Sequence, residues 1–280
     1  MVNLVRFFLR FLLNDTKLRY YSKFLEEPLQ KMTSGNVVRA AVIQMNYSPV
    51  SGIGNFVELV NQYLEKMRNF SPQIIVFPNL LDTIIFGTFP AFFYLKGRRT
   101  VKLIKSCSSI TSYACEKIMA ELSNKWQCTV VFGTTVGQFV YHCGVKQKNV
   151  FSTSNYKIAV LPKRDIVNSE KLERYIKDGV RIIATTGCGV VDFNEWDDRF
   201  SMWVHSQMVG FYGLWSLMSG IVFGKEIKGR ACVTAPVPIT RSQDGYIVKS
   251  NTLQGDVVLL AELDMQKIDF FLLSRAVSIY

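Results

Sequence analysis

Histidine is nearly absent from this chain, which has His142 and His205 and no others. With so few, the closest candidate for a zinc motif is the adjacent pair His142 and Cys143, which is too short to supply a ligand set, so no metal is expected. The six cysteines (Cys107, Cys115, Cys128, Cys143, Cys188 and Cys232) include no C-x-x-C pair. The apolar start of the chain has no small-residue exit of the kind a cleaved secretory signal needs. Both absences point to free thiols in an intracellular, reducing compartment. No run approaches the ~20 consecutive apolar residues that cross a bilayer. After residue 35 no basic run is interleaved with aromatics, so nucleic acid is not an expected partner despite a net charge of +11. Gly187-Cys188-Gly189 lacks the third glycine and the strand-to-helix setting of a dinucleotide loop, and no cofactor is expected. Ser201, His205 and Asp197 or Asp198 fall close together on one helical stretch, and nothing places the serine at a strained, exposed turn as a nucleophile requires.

Against these absences, 49% of the residues are hydrophobic and 20% charged, enough apolar material for one sizeable core. The text divides into residues 1–35, a basic amphipathic extension, and residues 36–280, a globular domain, with Thr33-Ser34-Gly35 as the break. In the extension, Arg6 and Arg10 share one side of a helix, while Leu4, Phe7, Phe8, Phe11 and Leu12 spread over a broad apolar face. That composition suits contact with a membrane surface through residues 1–32, a mitochondrial-type presequence, or packing on the body or a second subunit. The apolar, aromatic stretch 80–104 reads as a pocket wall or a surface for a membrane or partner. Lys96, Arg98 and Arg99 read as a solvated basic cluster.

From Val37 the chain alternates strand and helix. VVRAAVIQM is an apolar strand, and Phe56, Leu59, Val60, Tyr63, Leu64 and Met67 mark the buried side of a helix. QIIVFPN follows as a strand, a helix is expected over 108–125, and CTVVFGT is another strand. Tyr156–Thr185 reads as a complete βαβ unit, with Leu172, Tyr175 and Ile176 on the sheet side of its helix. The first strand of that unit exits at Lys163-Arg164-Asp165, the end where α/β proteins usually place chemistry. The alternation alone supports an α/β fold.

Several stretches resemble the nitrilase (carbon-nitrogen hydrolase) superfamily. Gln44, Asn55 and Phe77-Pro78 are similar to its opening section. Asp165, Glu170 and Gly179 match the segment around its nucleophile, and GRACVTAP, Asp244-Gly245, Ala261, Leu263, Asp264 and Arg275 match its closing section. The resemblance spans about Val37 to Arg275 and implies a four-layer αββα sandwich and a homo-oligomer. It also implies a site in which a carboxylate base, a lysine and a cysteine nucleophile attack an amide or nitrile carbon. Here Asn79 stands in place of the glutamate and Lys163 in place of the cysteine, while the lysine-bearing segment before Tyr156 is missing.

An amide cannot serve as a general base, so the resemblance implies a framework kept and a chemistry lost, with binding or scaffolding as the remaining role. Asn79 and Lys163 are then vestigial positions, with Asp165 and Glu170 lining an anion-friendly pocket. A competing alignment makes Lys163 the catalytic lysine and Cys188 the nucleophile of an active amidase-like hydrolase.

Overall fold

The structure is a computed structural model that describes residues 2–29, 35–88, 98–198 and 202–277. Thr33 and Ser34 of the expected domain boundary, Lys96, Ser201 and residues 89–97 of the apolar stretch lie outside the described residues.

Two short helices, α1 (Val2–Leu12) and α2 (Asp15–Ser22), open the chain. Asn14 caps α2 by accepting from Lys17 N at 2.9 Å, satisfying a first-turn amide that has no partner within the helix. Strand β1 (Val37–Asn46) follows. It is apolar almost throughout because both its faces are covered. Ala41, Ile43 and Met45 belong to one core, and Val38, Ala40 and Val42 to the other.

Helix α3 (Ile53–Met67) buries Phe56, Val60, Tyr63, Leu64 and Met67 on the first core, as their spacing predicts. Strand β2 (Ile74–Val76) then runs parallel to β1. After a 3-10 turn over Leu81–Thr88 comes α4 (Arg98–Trp126), which begins at Arg98 rather than at the expected Ser108. Around that point two of its hydroxyls bond back to the preceding turn: Ser106 Oγ donates to Leu103 O at 2.7 Å and Ser108 Oγ to Lys105 O at 3.1 Å.

Strand β3 (Thr129–Gly133) lies parallel to β2, and β4 (Gln138–His142) and β5 (Val145–Lys146) continue the sheet antiparallel. The chain crosses directly to β6 (Val150–Ser152), which forms a hairpin with β7 (Lys157–Val160). Helices α5 (Lys163–Ile166) and α6 (Ser169–Lys177) lead to β8 (Ile182–Cys188), parallel to β7, which is the βαβ unit seen in the sequence.

After α7 (Glu195–Asp198) and a π-helical turn at Ser206–Gly210, β9 (Tyr212–Val222) runs parallel to both β8 and β1. Strands β10 (Lys225–Ile227), β11 (Cys232–Thr234) and β12 (Tyr246–Lys249) extend that side. Strand β13 (Val257–Asp264) then pairs antiparallel along β1, and α8 (Met265–Val277) follows it.

The sheet order is β5-β4-β3-β2-β1-β9-β8-β7-β6. The sheet curls so that its two halves stack, with α3 and α4 outside one half and α6 and α8 outside the other, giving four layers αββα. Helices α1 and α2 pack outside this sandwich, with Val5, Leu9, Leu13, Leu18 and Leu25 buried in the same core as α3 and α4. The end of α4 holds their connection, since Lys125 Nζ donates to Lys23 O at 2.8 Å and Trp126 Nε1 to Glu26 O at 2.7 Å. Because β1, β2, β3, β7, β8 and β9 are mutually parallel, their carboxyl ends open on one rim.

Candidate functional site at the strand ends

The rim gathers the positions to which the sequence points. From β2 the chain runs through Phe77 and Pro78 to Asn79, whose N–H donates to Gly187 O at 3.2 Å, while Gly133 N donates to Pro78 O at 3.1 Å. Asn79 is therefore fixed between the ends of β3 and β8. Gly133 must lack a side chain: a Cβ there would lie 2.7 Å from Asn79 Cα and would run into Asn79 Oδ1 and Thr186 Oγ1.

Gln138, at the start of β4, closes the group. In the amide orientation that satisfies its neighbours, its oxygen accepts from Thr186 N at 3.0 Å and Thr186 Oγ1 at 2.8 Å. Its nitrogen then donates to Leu161 O at 3.1 Å, the carbonyl two residues before Lys163. Asn79, Gly133, Gln138 and Thr186 thus form an uncharged polar plug across β2, β3, β4, β7 and β8. Neither Gln138 nor Thr186 is visible as a site residue in the sequence, where each reads as an ordinary strand position.

One carboxylate lies close in the chain to Asn79 but does not replace a base. Asp82 is fully buried and accepts from Thr135 N at 2.8 Å, Thr135 Oγ1 at 2.6 Å and Ser112 Oγ at 2.8 Å. Burial raises its pKa, and these donors oppose the rise. With its oxygens engaged by α4 and the β3 exit, Asp82 joins elements rather than accepting a substrate proton.

Lys163 begins α5 at the exit of β7 and is exposed; its Nζ sits 5.5 Å from the centroid of the Trp215 ring. Asp165 lies two residues on, which turns its side chain to another side of the helix, and it pairs with Lys171 Nζ at 2.7 Å. Glu170 is exposed in the first turn of α6, where a carboxylate complements the helix dipole. The cavity beside Lys163 is lined by Cys188, Trp215, Lys228, Arg230 and Asp197 among others, and neither Asp165 nor Glu170 reaches it. Its volume is about 20 Å³, room for roughly one water molecule. Trp215 takes much of the space: it is 5% exposed, packs over Gly187, and its buried Nε1 has no partner among the described residues.

Cys188 shares this cavity with Lys163, as the competing alignment requires. Burial pushes its thiol up to about 12, with no opposing cause. A nucleophilic cysteine needs a neighbouring base or cation that lowers this value. Elsewhere, Trp203 Nε1 donates to Asp244 O at 2.8 Å and Gln207 Nε2 to Ala235 O at 2.8 Å, so these two residues anchor the Asp244-Gly245 hairpin. His205 is buried, which lowers its pKa. Among the described residues no cluster of His, Cys, Asp and Glu is arranged to hold a metal ion. A larger cleft of about 370 Å³ lies between α2, α4 and the β4–β5 turn; its charged lining, Asp15, Arg19, Lys117 and Glu121, is of both signs, and none of the strand-end residues reaches it.

No protein-family model and no curated protein sequence matches the chain. Solved structures do. A Glu-to-Gln variant of the amidase from Nesterenkonia sp. AN1, with acrylamide added at its active-site cysteine, is similar at a TM-score of 0.61 and 12% identity. The match covers 85% of this chain and 99% of that one. A Cys-to-Ala variant of the same amidase, described as belonging to the nitrilase superfamily, matches at a TM-score of 0.59 and 11% identity, covering 85% of this chain and 96% of that one. The chain therefore has the nitrilase-type fold, as its motifs imply.

Proposed function

We propose that this protein has kept the fold of a carbon-nitrogen hydrolase, has lost the hydrolysis, and acts by binding or scaffolding. The observation that carries the proposal is the state of the strand ends. A hydrolase of this kind needs a thiolate made by a base, a cation to steady the tetrahedral intermediate, and space for an acyl group and a water. Here the position expected for the base is an amide locked beside Gly133 and Thr186. The position expected for the nucleophile is an ammonium over Trp215, and the cavity is about 20 Å³. Between β6 and β7 only Thr153, Ser154, Asn155 and Tyr156 intervene, leaving no room there for the lysine-bearing segment that the resemblance implies.

A second reading, an amidase using Lys163 and Cys188, draws support from the cavity those two residues share. The thiol at about 12 weighs against it, because ionisation at neutral pH is then on the order of one part in 10⁵.

Ammonia release from acrylamide and butyramide by the purified full chain separates the two. None is expected, and iodoacetamide labelling of Cys188 should stay slow at neutral pH. Labelling should rise about tenfold per pH unit, with no plateau, over the alkaline range in which the protein stays folded, since the thiolate is the reacting form and burial holds its pKa above that range. Ammonia release that disappears in Cys188→Ala, with rapid labelling at neutral pH, would establish the second reading instead.

A further inference from the structure

Helix α1 has two apolar faces and the body of the protein uses one. Val5 and Leu9, one turn apart, are buried against the core that includes α4. Leu4, Phe7, Phe8 and Phe11 stand at i, i+3, i+4 and i+7, a second stripe on another side of the same cylinder. Their exposures are 61%, 69%, 49% and 62%, so four large apolar side chains in a row are open to solvent. Soluble surfaces scatter such residues singly; a continuous row marks a contact.

The charges around the stripe say what kind of contact it is. Arg10 borders it on α1, which has no acidic residue, while the half-buried Arg6 lies toward the body, where its charge acts on the buried Cys107 thiol of α4. Lys17 on α2 reaches back over the Phe11 ring, with Nζ 4.7 Å from the centroid. The nearby carboxylate in α2, Asp15, accepts from Tyr113 OH on α4 at 2.7 Å and is thereby held toward the body. Aromatic side chains in a row, edged by cations and without anions, match the lipid-water interface of an anionic bilayer, where rings enter the acyl boundary and cations meet headgroup phosphates. A second copy is a poor match, because a two-fold contact would set this patch against itself, bringing the Arg10 and Lys17 cations of both copies into one interface with no acidic residue of α1 to balance them. Among the described residues no helix is long and apolar enough to cross a membrane, so the contact would lie in the plane of the interface.

We propose that the outer stripe of α1 is an interfacial docking surface for anionic lipid, and that the inner stripe is the fixed joint holding it to the fold. The joint explains why the helix is presented rather than loose. Removing the whole extension would uncover the core beneath Leu9, so the test uses point substitutions on the outer stripe.

The full-length protein is sedimented with vesicles of phosphatidylcholine alone and with vesicles of equal parts phosphatidylcholine and phosphatidylserine. Binding is expected only to the anionic vesicles and should weaken as salt rises. The double variant Phe7→Ser, Phe11→Ser should bind at least about tenfold less with an unchanged melting temperature, because burial of those rings drives insertion. Arg10→Gln with Lys17→Gln should lose about fivefold per residue, the equivalent of one cation at a charged surface. Equal binding of wild type and both variants overturns the proposal, and so does binding indifferent to phosphatidylserine. A concentration-dependent dimer that vanishes in Phe7→Ser, Phe11→Ser, without vesicle binding, would assign the face to a second copy.

Discussion

The strand-end site and the outer face of α1 are opposite in kind. At the strand ends the polar groups bond to one another. Gln138 spans Thr186 and Leu161, Asn79 is held by Gly187, and Trp215 occupies the remaining space. On α1 the groups are apolar, and nothing among the described residues covers them. Gln138 and Thr186 spend their polar groups on each other and on Leu161, and Trp215 fills most of the space beside them, so little is left to offer a ligand, whereas an uncovered apolar row gains by meeting one. The fold resemblance directs attention to the first place, but unspent interaction energy is concentrated at the second.

The sharpest way to break this comparison is Trp215→Ala. If the rim is closed by packing, removing a ring that is 5% exposed should cost about 3–5 kcal/mol in chemical denaturation. A much smaller loss would mean that Trp215 lies over an open pocket and that the rim is not closed.

The next test sets the two faces of α1 against each other. Leu9, 1% exposed, should cost about 2–5 kcal/mol when changed to alanine, because its cavity opens in the core shared with α3 and α4. Phe7→Ser, on the outer stripe, should stay within about 0.5 kcal/mol of wild type. Similar values for the two would mean that α1 is not docked as described.

The smallest expected effect is at the plug. Gln138→Ala leaves the Thr186 amide and the Leu161 carbonyl without their partner and should cost about 1–3 kcal/mol. A neutral result would show that water takes the place of the Gln138 amide, and hence that the rim admits solvent.

The framework was legible because its signals are local. The run Val37–Met45 reads as an apolar strand, and the structure shows why it is apolar, since both faces of β1 are buried. Phe56, Val60, Tyr63, Leu64 and Met67 all reach the core of α3, and Leu172 is buried under α6. The start of α4 was misplaced because residues 98–104 belong in the sequence to the apolar stretch 80–104, which reads as one wall or surface, while the structure carries the helix back to Arg98. Asp165 and Glu170 were expected on the pocket because they keep the spacing of a known motif. In the structure Asp165 turns to Lys171 and Glu170 to solvent, since position along the chain does not fix direction around a helix.

By itself the sequence determined the alternation of strands and helices, the parallel βαβ unit, and the identity of the residues at the strand exits: an amide at position 79 and an ammonium at position 163. Those follow from periodicity and chemical type, which each residue carries wherever it is placed. Only the tertiary structure decided that Gln138 and Thr186, 48 residues apart in the chain, meet across the rim, and that Trp215 lies under Lys163. It alone also decided which of the two apolar stripes of α1 faces the core. These are contacts between residues far apart in the chain, and the curl of the sheet and the packing of its helices bring them together. The same side chain is a core residue, a plug or an open surface according to what the rest of the fold sets against it.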